Sequence, residues 1–265
     1  VTGEWSKKAV TEAERVGSVH IAGSSEAEKF RRIPRAEEIQ LSPNGKYVHN
    51  TSNNTIWGTQ WHHDLPTNGR PLVCDMSSDF LSRKIDTNQY HLIYAGAQKN
   101  AGPAGVTIVL IRDSILTQDK AVQAKLPVLL NYRTHIENKS LYHTPPVFSI
   151  YATALTLKWI KAQGGLPEME RRAVARSSML YDTLDASSLF KAPVAKADRS
   201  RMNVVFDTGN ADTDAAFVKF CEARGLMSLK GHRVRGGMRA SIYNAMPLAG
   251  VEALVAAMRE FEASR

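Results

Sequence analysis

Apolar positions along the chain fall into two rhythms. Between residues 46 and 113, runs of strand length recur: KYVHNTS (46–52), RPLVCDMS (70–77), YHLIYAGA (90–97) and GVTIVLIRD (105–113). The middle runs are nearly continuous in apolar residues, the pattern of strands covered on both faces in a largely parallel sheet. Pro103-Ala104-Gly105 reverses the chain, which sets GVTIVLI antiparallel to its predecessor. Upstream, SKKAVTEAER (6–15) reads as a short amphipathic helix, and VGSVHIAG (16–23) reads as a strand leading into a polar loop.

From Pro145 the period lengthens. VFSIYATALTLKWIKAQGG predicts a buried helix stopped by Gly164-Gly165, and LPEMERRAVARSSMLYDTLDAS a second. RMNVVFDT (201–208), a helix over 211–225, LMSLKG (226–231), GMRASIYNA (237–245) and a final helix from Leu248 then alternate as a smaller unit. The expected class is α/β, with a large domain over 1–158 built on a mostly parallel sheet and a small α+β domain over 159–265. No internal repeat or low-complexity tract interrupts it.

Composition narrows the function only partly. The chain has 265 residues, of which 43% are hydrophobic and 23% charged, and it lacks any run of membrane-spanning length. A soluble protein without a membrane partner is expected. Cys74 and Cys221 are too few and too distant in sequence for a disulfide framework or a zinc site, so no metal is expected and a reducing, cytoplasmic setting fits. The net charge of +8 is concentrated from Arg224 to Arg239, where five Arg or Lys residues and His232 occur without a carboxylate. The opening residues VTGEWSKKAV lack an initiator Met and the layout of a signal peptide, and they read as the interior of something longer.

Candidate chemistry sits at strand ends. Asp75 ends the run PLVC, and Lys99 follows YHLIYAGA, at the carboxyl edge where open α/β sheets place ligands. A lysine amine and a carboxylate on neighbouring strand ends suit a pyridoxal phosphate enzyme, the lysine as Schiff-base former and the acid as partner of a protonated pyridine nitrogen. A structural ion pair, or two unrelated solvent-facing strand ends, gives the same spacing. Ala95, Gly96 and Ala97 leave room for a flat ring, or else pack closely. Trp5 can stack on such a ring or serve as core, and Thr55 can donate to a ring substituent or cap its own turn. In LKGHRVRGGMRAS (229–241), Arg233 and Arg239 flank a Gly-Gly pair with His232 beside them, a set suited to phosphate and carboxylate. A solvated basic hairpin is the alternative; a nucleic-acid patch would want interleaved aromatic residues that are missing.

VTGEW (1–5), SNNTIWGTQ (52–60), CDMSSDFLSRKID (74–86), YAGAQKNAGPAGVTIV (94–109), LYHTPPVFSIY (141–151), DRSRMN (198–203) and LKGHRVRGGMRASIYNAMP (229–247) together resemble the phosphoserine aminotransferase family, class V enzymes of fold type I. The resemblance runs the length of the chain. It implies pyridoxal 5′-phosphate as cofactor, Lys99 as the Schiff-base lysine and general base, Asp75 on the pyridine nitrogen, Trp5 stacked on the ring, Thr55 on the ring hydroxyl and Gln98 on the phosphate. It implies a homodimer with shared active sites, in which an Asn-Thr pair of the neighbouring subunit completes the phosphate site. Here that pair is His143-Thr144, so an imidazole replaces an amide. His232 and Arg233 would face the substrate phosphate, and Arg239 the α-carboxylate.

The implied reaction interconverts 3-phosphohydroxypyruvate plus glutamate with 3-phosphoserine plus 2-oxoglutarate in serine biosynthesis. A phosphorylated keto acid of pyridoxine biosynthesis, or another keto acid, is the alternative substrate. The family also implies an upstream segment with a Gly-rich phosphate loop and a His-Arg pair. VTGEW follows both in that order, so the large domain is expected to be incomplete at its N-terminus, with an inactive fragment as the contrary possibility.

Overall fold

The computed structural model describes residues 1–117 and 119–265. The chain opens with helix α1 (Glu4–Glu14), then a long irregular segment to strand β1 (Val48–Thr51). A tight hairpin of β2 (Asn53–Asn54) and β3 (Thr59–Gln60) follows, then β4 (Leu72–Asp75), β5 (Leu92–Gly96) and β6 (Thr107–Ile111). Short helices α2 (Lys120–Lys125) and α3 (Tyr132–Glu137) lead to the longer α4 (Val147–Ala162) and α5 (Gly165–Ala186). β7 (Asn203–Phe206), α6 (Ala211–Glu222), β8 (Met238–Ser241) and α7 (Leu248–Ala263) complete the chain.

The main sheet has the order β1-β4-β5-β6. β1, β4 and β5 are parallel, and β6 returns antiparallel on β5, as the Pro-Ala-Gly reversal predicts. Because β4 and β5 run the same way, Asp75 and Gly96 finish at the same edge of the sheet. Cys74, Met76, Phe80, Ile93, Ala95, Ala97 and Ala101 form one buried cluster at this sheet. A second core gathers Phe190, Phe206, Phe217 and Phe261 between α5, α6, α7 and the β7–β8 pair, with Phe190 and Phe217 ring centroids 4.6 Å apart. Tilted and edge-on aromatic contacts of this kind add to the burial of area itself.

Three expectations change. Residues 16–23 form no strand: Val16 is 90% exposed, and the segment is tied to the loop after it through Gln40 N–H on Ala22 O (2.8 Å) and His20 Nε2 against Gln40 O (2.6 Å). Among the described residues it pairs with no strand, so no ladder forms along it. LMSLKG contributes only a bridge between Lys230 and Met238. Helix α4 forms as expected but is not buried: only Thr153 and Ile160 are enclosed, and Phe148 is 77% exposed. The helix is apolar nearly all round, which carries no information on which face packs within the chain.

Candidate active site

Beyond β5 the chain tightens at once. The N–H groups of Ala101 and Gly102 both donate to Ala97 O, at 3.0 and 2.8 Å, and this turn carries Lys99 back over the sheet edge. Ala95 and Ala97 are fully buried, so the backbone around the lysine sits directly on the core. Lys99 Nζ donates to Thr55 Oγ1 at 3.0 Å, reaching the β2–β3 turn. It also stands 5.8 Å from the ring centroid of Trp5, which α1 presents from the other side. Arg239, on β8, points its Nη1 at Thr55 O, 3.4 Å away. Three elements distant in sequence thus converge on one amine.

Electrostatics oppose the charge on that amine. Burial lowers the Lys99 pKa below its usual value, Asp75 pulls it back up and Arg239 lowers it further. A neutral amine is the nucleophilic and proton-accepting form. Asp75 is held by the Ser77 N–H on its Oδ1 at 2.8 Å. In register, Asp75 lies between Thr51 of β1 and Tyr94 of β5. The Tyr94 hydroxyl lies 2.9 Å from His49 Nε2, and burial, the largest influence, lowers the pKa of His49. This imidazole–phenol pair beside Asp75 was not singled out in the sequence, where His49 is one polar residue inside a strand.

Among the remaining expected site residues, Gln98 is exposed and folds over Gly96, where an added Cβ would stand 2.6 Å from Gln98 Oε1. His232 is half-buried and accepts the Val234 N–H on Nδ1 at 3.3 Å, whereas Arg233 is exposed. Neither has a hydrogen bond to Lys99, Thr55 or Arg239 among the described residues. The most enclosed arginine of that motif is Arg235, which is committed to Asp207 at 2.8 Å and so is structural. His143 and Thr144 are exposed on the link between α3 and α4 and are not brought to Lys99 by contacts within this chain. Among the described residues, no group of three or more His, Cys, Asp or Glu side chains is placed to hold a metal ion.

Comparison with known proteins gives one consistent answer. The family model "Aminotransferase class-V" matches residues 2–254. The phosphoserine aminotransferase of Nitrosomonas europaea is 50% identical over 268 residues, covering 98% of this chain and 72% of that protein. That of Bacillus cereus is 51% identical over 264 residues, covering 99% and 72%. The solved phosphoserine aminotransferase from Bacillus circulans subsp. alkalophilus superposes with a TM-score of 0.96 at 45% identity, over 100% of this chain and 73% of that one. A pyridoxal phosphate-bound phosphoserine aminotransferase from Trichomonas vaginalis does so with 0.85 at 36% identity, over 97% and 73%. With a lysine, a carboxylate and an arginine gathered at the sheet edge and these matches spanning nearly its whole length, the chain belongs to the class-V aminotransferases and, within them, to the phosphoserine aminotransferase family.

Proposed function

We propose that this chain interconverts 3-phosphohydroxypyruvate plus glutamate with 3-phosphoserine plus 2-oxoglutarate, the amino-transfer step of serine biosynthesis, and that Lys99 carries out its proton transfers. The observation that carries this reading is the position of Lys99 Nζ. It is depressed in pKa by burial, 3.0 Å from Thr55 Oγ1, and shares that turn with Arg239.

The cofactor of this family is pyridoxal phosphate, and the donor set fits it. The Trp5 side chain is 41% exposed and its ring stands near Lys99 Nζ, Thr55 offers a hydroxyl and Asp75 a carboxylate, whereas Ala95 and Ala97 pack into the core. When bound, the cofactor supplies an electron sink for the carbanion character that develops at the substrate Cα. Asp75 would hold a proton on the pyridine nitrogen, and Gln98 would contact the phosphate. Lys99 Nζ, as a neutral amine, would take the proton from Cα, and Thr55 Oγ1 orients that nitrogen. Arg239 would grip the α-carboxylate in a two-point contact, and His232 with Arg233 would meet the substrate phosphate from the Gly231–Gly237 turn.

Three further features belong to this reading. The exposed apolar side chains of α2 to α4, including Leu129, Leu130, Phe148, Tyr151 and Leu155, support a homodimer in which His143 and Thr144 reach the partner's phosphate site. The two separate cores support a large unit over 1–158 and a small one over 159–265, with α4 running continuously across the boundary. A cytoplasmic setting fits the buried, unpaired Cys74 and Cys221. No helix among the described residues is long and apolar enough to cross a membrane.

The test is substrate-resolved kinetics. Arg233→Ala should raise KM for 3-phosphohydroxypyruvate by about tenfold or more while leaving activity on unphosphorylated hydroxypyruvate near its original level. Equal losses on both substrates would remove the phosphate role.

A further inference from the structure

A chain of hydrogen bonds, buried at Ser78, Asn53 and Asn203 and partly buried at Ser241 and Tyr243, runs from behind Asp75 to the strand that carries Arg239. Ser78, three residues after Asp75, donates its hydroxyl to Asn53 O at 2.7 Å and accepts from Asn53 Nδ2 at 2.8 Å. The same Nδ2 donates to Asn203 Oδ1 at 2.8 Å, crossing from the β2–β3 hairpin to β7. Asn203 Nδ2 then donates to Ser241 Oγ and Tyr243 Oη, each at 3.1 Å. Asn53 Oδ1 accepts the Ser200 hydroxyl at 2.5 Å, so both N–H groups of each amide are used and each amide oxygen is engaged. Asn53 is 1% exposed, Asn203 0% and Ser78 3%, so water cannot substitute for a lost partner.

The endpoints are what give this chain meaning. Asn53 begins the hairpin that offers Thr55 Oγ1 to Lys99 and Thr55 O to Arg239. Asn203 and Ser241 are paired in register, two positions along β8 from Arg239. We propose that Asn53 and Asn203 are positioning residues: their amide–amide bond pins the small-lobe strand pair to the Asp75 turn and thereby fixes how far Arg239 stands from Lys99. The pair touches neither cofactor nor substrate. It acts through the separation of a carboxylate-binding arginine from a proton-transferring amine, where an error of about 1 Å is costly. This rests on the assignment of Arg239 and Lys99 made above.

The test deletes one hydroxyl at each end of the chain, with Ser78→Ala and Tyr243→Phe, substitutions small enough to keep the fold. Glutamate affinity is read by calorimetry on the cofactor-loaded chain, alongside KM, kcat and the dissociation constant for pyridoxal phosphate. Each single variant should weaken glutamate binding about fivefold with cofactor affinity unchanged, and the double variant should also show about fivefold rather than the roughly 25-fold of independent effects. A multiplicative double variant, or losses confined to thermal stability, would overturn the proposal. Arg239→Lys separates the two readings. If it leaves glutamate binding intact, the assignment of Arg239 fails; if it weakens binding while the hydroxyl deletions do not, the assignment stands and the positioning role fails.

Discussion

The surroundings of Lys99 disfavour its ammonium form, and this has a measurable consequence for folding. Its folded-state pKa lies below the ordinary 10.5 because burial disfavours the ammonium form. Between that depressed value and 10.5 the unfolded chain binds a proton that the folded chain does not, so this group makes stability rise with pH across that window. Lys99→Met should remove the rise. Denaturant unfolding of both proteins at several alkaline pH values should show the wild-type chain gaining stability relative to Lys99→Met as pH increases, and parallel curves would contradict it. In catalysis the same substitution should lower kcat by at least about 10²- to 10⁴-fold, the range of a lost proton-transfer group. At this scale the sequence offers Lys99 and Asp75 as strand-end candidates and Arg239 within a basic, Gly-Gly-centred motif, each beside a structural alternative, and the structure brings Lys99 and Arg239 to the same Thr55 turn. His49 and Tyr94 were not legible, because a polar residue within a strand gives no sign of which neighbour it will meet.

At the scale of elements, runs with their own periodicity or turn chemistry were readable and those that depend on distant partners were not. β4, β5 and β6 announce themselves by apolar content and by the Pro103–Gly105 reversal. The β2–β3 hairpin does not, since Asn53, Asn54, Thr59 and Gln60 are polar and two-residue strands have no period. Its turn passes through Gly58, which adopts φ +79 with an added Cβ placed 2.6 Å from Val205 Cγ2 and 3.1 Å from Asn203 O. Gly58→Ala should therefore destabilise the protein by about 1–3 kcal/mol beyond the backbone cost alone. Gly69 makes the control: φ is +77 but nothing lies within 4 Å, so Gly69→Ala should cost only about 1–2 kcal/mol. Midpoints of denaturant unfolding give both values, and equal shifts would show that the contact with Val205 does not matter. VGSVHIAG fails as a strand for the converse reason: it has the pattern, but among the described residues no strand pairs with it.

At the scale of the whole molecule, the exposed apolar surface of α2 to α4 is where we propose that a second copy docks. Helix α4 is apolar on nearly every side, which a single sequence reads as burial, and within the chain only Thr153 and Ile160 are enclosed. With a second copy covering this surface, sedimentation should return twice the 29.3 kDa chain mass. Phe148→Asp combined with Tyr151→Asp should shift it to the monomer, because burying two carboxylates in an apolar interface is unfavourable without partners. A variant that still sediments as a dimer would move the interface elsewhere.

The central claim is that Lys99 is the amine that engages the cofactor. Its most direct measurement is borohydride reduction of the chain with pyridoxal phosphate, followed by peptide mapping. The expected result is a pyridoxyl mass on the peptide containing Lys99 and its loss in Lys99→Met. A label spread over surface lysines, or a Lys99 peptide of unchanged mass, would contradict the account.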